Sequence, residues 1–465
     1  MFIKSLYVIL ISVFLLTPST ALGAPTVFQL IREDNLDGLN SLIAGDPQVI
    51  NSFEENEAGN KPIHAAARQC SVAMIDALLR AGAKVNAVNY YGQSPVHIAA
   101  TNCPVEVLKY LVENGANIKM RTETDHFTPL HFAANRQDAA DVIDYLLSQG
   151  LDIDAPTKLH NTTPLINAIK HGNRPMIEFF ISRGADPKAG YVLTEAVQSG
   201  ATTTDLFQYL IEKGANVNGG AALMTSISYG KLDFARLLVQ YGADVNQDGV
   251  MSAAVSTGDI EFVKLLLEKG GDVNQGDRTP LMSAAQANYL RMAKFLLSNK
   301  ADVNKATKYG NYTAVSLAIW QGHRDMALFL LKNGAKPDIF VHAGLGDVGS
   351  LKKYELKALI HSKDEVGRTP LYAAIIGQQK QAVKYLVEKG ALVNDKTKIE
   401  FVTPLHTAVD TRNRDIVHFL LDRGADIRAK MSPSLYVRSG FTPLDIAREN
   451  KDDFMIKLLE KYNSK

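Results

Sequence analysis

The stretch Thr128-Pro129-Leu130-His131-Phe132-Ala133 decides the fold, because close copies of it recur along the chain. Full copies begin at Lys61, Ser94 and Thr403. Shorter copies keep only the Thr-Pro-Leu portion, at residues 163–165, 279–281, 369–371 and 442–444. Most copies are followed by a leucine-rich segment that ends in Gly-Ala, as in residues 78–83. The chain is therefore built from one repeated unit.

Each residue type in this unit has a physical reason to be there. A Ser or Thr hydroxyl caps the start of a helix, and Pro fits the first helical position, where no backbone donor is needed. The alanines that follow keep the helix face thin, so that neighbouring units can approach closely. The closing Gly adopts the left-handed conformation that ends a helix without steric penalty. The unit is predicted to be two helices joined by a turn.

One unit lacks its closing glycine. Terminal glycines stand at positions such as 270 and 334, but the one expected near 300 is replaced by Lys300. A side chain in the left-handed conformation costs about 1 kcal/mol. We therefore expect local strain, or a different closure, at Lys300.

The spacing and the Thr-Pro-Leu-His-x-Ala motif resemble the ankyrin repeat, from about residue 28 to residue 462. The resemblance implies an all-α fold, an ankyrin-repeat solenoid of about 13 helix-turn-helix repeats with capping units. The expected segments are an N-terminal capping unit at 24–60, repeats at 61–338 with short, motif-poor units near 189–274, a degenerate repeat at 339–366, and repeats with a C-terminal cap at 367–465.

Residues 1–23 form a separate segment. Lys4 precedes an apolar run from Leu6 to Leu16, and small residues follow at 21–23, the pattern of a secretory signal peptide. Thr17 and the proline after it end the run too early for a membrane anchor, which needs roughly 18 apolar residues. We expect cleavage, export to a periplasm or to the outside of the cell, and no stable membrane insertion afterwards.

The charge balance bears on the partner class. The chain has 50 Lys and Arg against 49 Asp and Glu, with no basic block. Nucleic acid is therefore not an expected partner, because binding to a polyanion calls for clustered positive charge. We expect a monomer that binds a protein.

Two patterns resemble chemical sites but favour structural roles. His64, His97, His131 and His406 recur with the repeat, and equivalent atoms of successive repeats lie roughly 10 Å apart, too far to share a metal ion. In ankyrin repeats this His makes hydrogen bonds between adjacent units. We expect no metal.

Gly344 to Gly349 matches the Gly-x-Gly-x-x-Gly dinucleotide fingerprint, with Asp364 further along. That fingerprint needs a βαβ unit around it, whereas this hexapeptide falls in the degenerate repeat. With no other catalytic motif, we expect neither enzyme activity nor a cofactor.

Cys70 and Cys103 are the only cysteines. Both follow their Pro by eight positions, so equal repeat geometry would place their α carbons roughly 10 Å apart, beyond the about 7 Å that a disulfide tolerates. We expect two free or partly buried thiols. Asn161 and Asn311 fit the glycosylation sequon at predicted turns, which matters only in a eukaryotic secretory pathway.

The ankyrin resemblance implies a binding surface, because turn residues and the inner face of the first helices line a concave groove in that family. Aromatic residues and Arg carry a large share of binding energy. The candidate partner-binding residues are Trp320, Tyr229, Arg136, His171, Tyr90, Tyr91, Phe127 and Tyr309. The alternative for Trp320 is packing against the neighbouring repeat.

The leading hypothesis is a non-catalytic protein–protein interaction module that uses this groove. One alternative is a secreted effector that targets host proteins. The other is a nucleotide- or small-ligand-binding protein, or an enzyme, that uses the loop from Gly344 to Gly349.

Overall fold

The structure is a computed structural model that describes residues 25–55, 58–189, 191–432 and 438–464. The predicted signal peptide at 1–23 lies outside these residues. The described residues form helices and turns and contain no β-strand. They fall into two compact units, unit 1 up to residue 190 and unit 2 from residue 191 onward.

Unit 1 contains ten α-helices and a 3₁₀ helix at Pro47–Asn51 among its described residues. The α-helices are α1 Val27–Arg32, α2 Leu36–Gly45, α3 Pro62–Arg68, α4 Val72–Arg80, α5 Pro95–Asn102, α6 Val105–Glu113, α7 Pro129–Ala133, α8 Ala140–Ser148, α9 Pro164–Lys170 and α10 Arg174–Ser182.

Unit 2 continues the same alternation of a first and a second helix. Its described α-helices are α11 Val192–Gln198, α12 Thr204–Glu212, α13 Ala222–Ser228, α14 Leu232–Gln240, α15 Val250–Ser256, α16 Ile260–Glu268, α17 Pro280–Gln286, α18 Leu290–Ser298, α19 Ala314–Trp320, α20 Arg324–Lys332, α21 Ile339–Leu345, α22 Val348–Leu351, α23 Leu356–Leu359, α24 Pro370–Ile376, α25 Lys380–Glu388, α26 Pro404–Asp410, α27 Arg414–Asp422, α28 Pro443–Glu449 and α29 Asp453–Asn463.

The helices are arranged as the repeat motif predicts. After the pair α1–α2, the described residues contain thirteen first helices, each followed by a second-helix segment, so the predicted all-α solenoid of about 13 repeats is confirmed. The core lies where first helices of neighbouring repeats meet, as α3 meets α5. Ala65, Ala66 and Ala67 are at most 3% exposed there, so thin alanine faces allow close approach.

Lys300 closes its helix in the same way as glycine does elsewhere. Its φ of 68° lies in the left-handed region, like the 87° of Gly270. The backbone N–H of Lys300 donates to Leu297, and that of the next residue, Ala301, donates to Leu296, both at 3.0 Å. Lys300 therefore keeps the standard closure and bears the predicted strain.

The segment around α21 departs from the pattern in its second layer. Two four-residue helices, α22 and α23, stand where other repeats have one helix of nine or more residues. A Cβ atom at Gly344 would overlap Ile319, and one at Gly377 would overlap the Gly344 carbonyl. These glycines therefore let α21 pack tightly between α19 and α24, which accounts for them without a phosphate ligand.

The expectation of free thiols is wrong, because Cys70 and Cys103 form a disulfide with a Cα–Cα distance of 5.3 Å. The two positions are not equivalent in conformation. Cys70 has a left-handed φ of 58° in the turn after α3. Cys103 precedes Pro104, and a residue before proline is pushed to extended backbone, here φ −93° and ψ 154°. The assumption of equal repeat geometry therefore failed at Pro104.

Removal of this disulfide should destabilise unit 1 by about 2–4 kcal/mol, because the bridge restricts the unfolded chain across 33 residues. Hydrogen exchange of peptides from α3 to α6, measured with and without reductant, reports the change. A Cys70→Ala/Cys103→Ala double variant is the matched control and should not respond to reductant. Equal responses of the parent protein and the double variant would contradict the disulfide.

Candidate partner-binding surface

Asparagine side chains hold successive repeats together at the turns that follow the second helices. Asn304 Nδ2 donates to the Gly334 carbonyl at 3.0 Å, and its Oδ1 accepts from the Lys336 N–H at 2.8 Å. The same pair of bonds to the next repeat is made by Asn86, Asn246, Asn274 and Asn394. This ladder was not predicted from the sequence, although Asn recurs four residues after the helix-closing position.

The recurring histidines also bridge neighbouring repeats, as expected. Nε2 of His64 lies 3.0 Å from the carbonyl oxygens of Ala87 and Gln93. Equivalent bonds join His97 to Phe127, His131 to Thr162 and His406 to Phe441, at 3.0 to 3.2 Å.

Each of these imidazoles is out of contact with water. Burial lowers the pKa of His64, His97 and His131 to about 4, and it lowers the pKa of His406 as well. The rings are therefore neutral at pH 7, with Nε2–H donating to a carbonyl of the next repeat. The Nδ1 atom accepts from the backbone at the start of its own helix, as in the 3.1 Å bond from Thr128 N to His131.

The turns before the first helices expose large apolar side chains. In four repeats such a side chain stands four residues before the Ser or Thr that begins the helix: Tyr90, Leu159, Tyr309 and Ile399, which we call the fingertip residues. They are 67%, 66%, 76% and 63% exposed, respectively. Single exposed apolar residues are ordinary on protein surfaces, but recurrence at one repeat position indicates a shared role.

The backbone holds the fingertips in place. Tyr90 N–H donates to the Ala58 carbonyl at 2.9 Å, Lys158 N–H to Asp125 at 3.0 Å, and Lys398 N–H to Val366 at 2.8 Å. Each bond joins one turn to the turn of the preceding repeat. The exposed side chains are therefore presented on an ordered edge, so little backbone ordering is needed when a partner binds.

Phe401 adds a second apolar group beside Ile399. It stands two residues before Thr403 with a φ of 51°, where Asn161 and Asn311 occupy the equivalent places with φ of 48° and 50°. Asn tolerates this left-handed conformation, whereas for Phe it is strained by about 1 kcal/mol. The ring is nevertheless 44% exposed, so packing within the protein does not account for it.

The candidates predicted from the sequence lie in different environments. Tyr90, Tyr91, Tyr229 and Tyr309 are all at least 46% exposed, and His171 is exposed as well. The remaining three are partly or largely covered: Phe127, Arg136 and Trp320. Tyr229, Tyr309 and Trp320 belong to unit 2, and the other five belong to unit 1.

Two of the covered candidates in unit 1 contact other residues of this protein. The Phe127 ring packs edge-on against His131, with centroids 5.2 Å apart. The Arg136 side chain is 11% exposed, and its Nη1 donates to the Cys103 carbonyl at 2.5 Å. Contacts of these two side chains with a partner stay a prediction.

Trp320 lies beneath Arg368. The guanidinium carbon is 3.8 Å from the indole centroid, and Trp320 is 7% exposed. Asp364 holds the guanidinium through its Oδ2, at 2.8 Å from Nε and 2.7 Å from Nη2, and it also accepts from Tyr312 at 3.1 Å. Arg368 therefore forms the outer layer of this stack, and direct contact of Trp320 with a partner requires Arg368 to move.

The described part of the chain contains neither a metal site nor a membrane-spanning helix. No group of His, Cys, Asp or Glu there is arranged to hold a metal ion. None of its helices has the length and apolarity to span a bilayer.

Comparison with known proteins agrees with the repeat geometry. A family model described as ankyrin repeats (three copies) matches residues 27–122, 117–191, 189–249, 250–341 and 347–431. The chain belongs to the ankyrin-repeat family.

Ankyrin-repeat relatives share only part of their length with this chain. It is 24% identical over 218 residues to ankyrin repeat and KH domain-containing protein mask-1 of Caenorhabditis elegans, covering 46% of this chain and 7% of that protein. It is 34% identical over 124 residues to the probable 26S proteasome regulatory subunit p28 of Saccharomyces cerevisiae, covering 24% and 54%. For ankyrin repeat protein nuc-2 of Neurospora crassa the identity is 26%, covering 36% and 13%. The chain thus matches less than two thirds of each relative.

Acid should weaken the histidine bridges of these ankyrin repeats. The folded-state pKa of His97 is about 4, below the ordinary 6.5. The contribution of the neutral His97 ring to the free energy of unfolding is therefore complete above pH 6.5. It is lost as the pH falls from 6.5 towards 4. Between pH 7 and pH 5 the free energy of unfolding should fall by about 1–2 kcal/mol per buried histidine. Hydrogen exchange of α5 peptides at both pH values measures it.

The His97→Gln variant should show a smaller pH-dependent loss than the parent protein. His160→Gln, at an exposed position in the same unit, is the control. It should lose as much stability between pH 7 and pH 5 as the parent protein does. If His97→Gln loses as much stability as the parent, the bridge is not the cause.

Proposed function

We propose that this protein is a non-catalytic interaction module that binds a partner protein through the fingertip residues and the groove beside them. The observation that carries the proposal is the exposure of a large apolar side chain at one fixed position in four repeats, between 63% and 76%. Ankyrin repeats imply protein partners, which supports it. One relative is the probable 26S proteasome regulatory subunit p28 of Saccharomyces cerevisiae.

The energetics favour the fingertips as contact points. Full burial of one large apolar side chain is worth about 1.5–3 kcal/mol. Because their backbones are already held, the fingertips lose mainly side-chain freedom on binding. Unit 1 supplies Tyr90 and Leu159, and unit 2 supplies Tyr309 and Ile399, so each unit offers two. Tyr91, Tyr229 and His171 extend the proposed surface with exposed side chains.

Nucleotide chemistry at residues 344–349 receives no support. Gly344 lies within α21, Gly346 ends that helix with a φ of 78°, and Gly349 lies within α22. A dinucleotide site requires a strand before the glycine-rich turn, and the described residues contain none. The tight packing of Gly344 against Ile319 explains the glycine instead.

We also propose that the protein is exported by its leader at residues 1–23 and acts in a periplasm or outside the cell. The apolar run from Leu6 to Leu16 supports this proposal. The disulfide between Cys70 and Cys103 adds to it, because such bonds persist mainly in oxidising compartments.

A Tyr309→Ser/Ile399→Ser variant should lose at least about tenfold in partner affinity, because two apolar anchors leave the interface. Affinity capture with the full chain and mass spectrometry identifies the partner, and titration with the purified partner gives the affinity. Leu328→Ser, at a 44% exposed position on the second helix α20, is the control and should bind normally. Equal losses in both variants would contradict a fingertip interface.

Leader removal is tested separately. Chain recovered from the exporting cell should begin near Ala24, as read from the intact mass. Replacement of Ile9, Leu10 and Ile11 by Asp should leave the chain uncleaved, with Cys70 and Cys103 open to alkylation without reductant. Chain that keeps residues 1–23 and remains in the cytosol would overturn the export proposal.

A further inference from the structure

The second-helix layer of unit 2 is interrupted at one place. The second helices α12, α14, α16, α18, α20, α25 and α27 each have nine residues. The helix that follows α21 has only four, Val348–Leu351. Five missing residues correspond to about 7.5 Å of helix, since each residue adds about 1.5 Å. The layer therefore has a gap beside α25.

This gap is a cavity of about 360 Å³. Val348 and Lys352 line it from the α22 side, and four residues of α25 line it from the other: Gln381, Lys384, Tyr385 and Glu388. We call this cavity the notch. It is formed by second helices, whereas the fingertip residues precede first helices, so the two surfaces are separate.

The residues that line the notch carry a small excess of positive charge, two lysines against one glutamate. Lys352 and Lys384 line it, and Lys389 Nζ lies 5.9 Å from the centroid of the Tyr385 ring. Glu388 is the one carboxylate among the lining residues. The other nearby lysine of α25, Lys380, is neutralised by Asp415 at 2.9 Å.

Lys352 is exposed at the notch, whereas Lys384 is half-buried there, with its Nζ 6.0 Å from the centroid of the Phe419 ring. In the described residues, Lys352 and Lys384 form no ion pair with a carboxylate of this chain. Lys353 next to Lys352 is likewise exposed. Because the whole chain has a formal net charge of only +1, this is a local excess and not part of a generally basic surface.

We propose that the notch binds an acidic segment of a partner protein. Carboxylates of that segment pair with the ammonium groups of Lys352 and Lys384, while its aliphatic carbons lie on Val348 and the Tyr385 ring. The cavity has room for one or two side chains. A nucleic acid would need a longer basic track along its backbone, and the ion pair of Lys380 with Asp415 ends the track on α25.

The test uses the full chain and a fluorescein-labelled glutamate-rich peptide, with fluorescence anisotropy as the readout. The parent protein should bind the peptide, and added salt should weaken binding. Lys352→Glu/Lys384→Glu should weaken it by at least about tenfold, because two attractions become repulsions. Lys352→Arg/Lys384→Arg keeps both charges and should retain binding, which separates charge from folding.

A matched control reverses two exposed lysines of other second-helix segments of unit 2, as Lys269→Glu/Lys294→Glu. It makes the same change in net charge and should leave peptide binding intact. Equal weakening in both reversal variants, no peptide binding by the parent protein, or preferred binding of a DNA oligonucleotide of equal charge would each overturn the proposal. Tyr309→Ser/Ile399→Ser should bind the peptide as the parent protein does, so a variant that loses the partner but keeps the peptide would separate the fingertip proposal from this one.

Discussion

The contact between one repeat and the next is the interaction on which the rest of this structure depends. A single pair of short helices has no core of its own, so stability comes from the faces that neighbours cover. Two sets of side-chain hydrogen bonds make those contacts specific. Asn304 and its equivalents bond in both directions to the following turn, and His97 and its equivalents bond to the following carbonyl. Because the histidines are buried, a misplaced neighbour would leave them without partners.

The same contacts explain how side chains become available for binding. Turns joined through their backbones, as Lys398 is joined to Val366, need no apolar side chain to hold them. Tyr309 and Ile399 can therefore remain exposed without loss of order in the turn. Phe401 is exposed and also strained, since its backbone has a left-handed conformation in which Asn or Gly would be less strained. Strain combined with exposure is common at functional sites.

Much of the fold could be predicted from the sequence because the repeat motif encodes helix starts and helix ends locally. The histidine bridges, the Gly-rich hexapeptide and the left-handed Lys300 follow from the same repeat logic. The disulfide could not be predicted in this way, because Pro104 changes the backbone at Cys103 and breaks the equivalence of the two repeats. Packing of Trp320 within the protein was one of the two interpretations of the sequence, but its cover by Arg368 from a later turn was not predicted.

The surface was predicted least well, because exposure depends on what neighbouring repeats cover. The candidates predicted from aromatic side chains included Tyr90 and Tyr309. They did not include Leu159 and Ile399, which share the same position in the repeat. The position four residues before the helix-starting Ser or Thr could have identified all four fingertip residues from the sequence.

The short helix α22 also bears on how unit 2 holds together. In a linear array, folding propagates through coupling between nearest neighbours, and a regular junction couples through both layers of helices. At α21 the first-helix layer packs tightly, through Gly344 and Gly377, whereas the second-helix layer contains only the four-residue helices α22 and α23. Unit 2 is thus held together at this repeat mainly by its first-helix layer, so the strength of the junction depends on the close packing at Gly344 and Gly377.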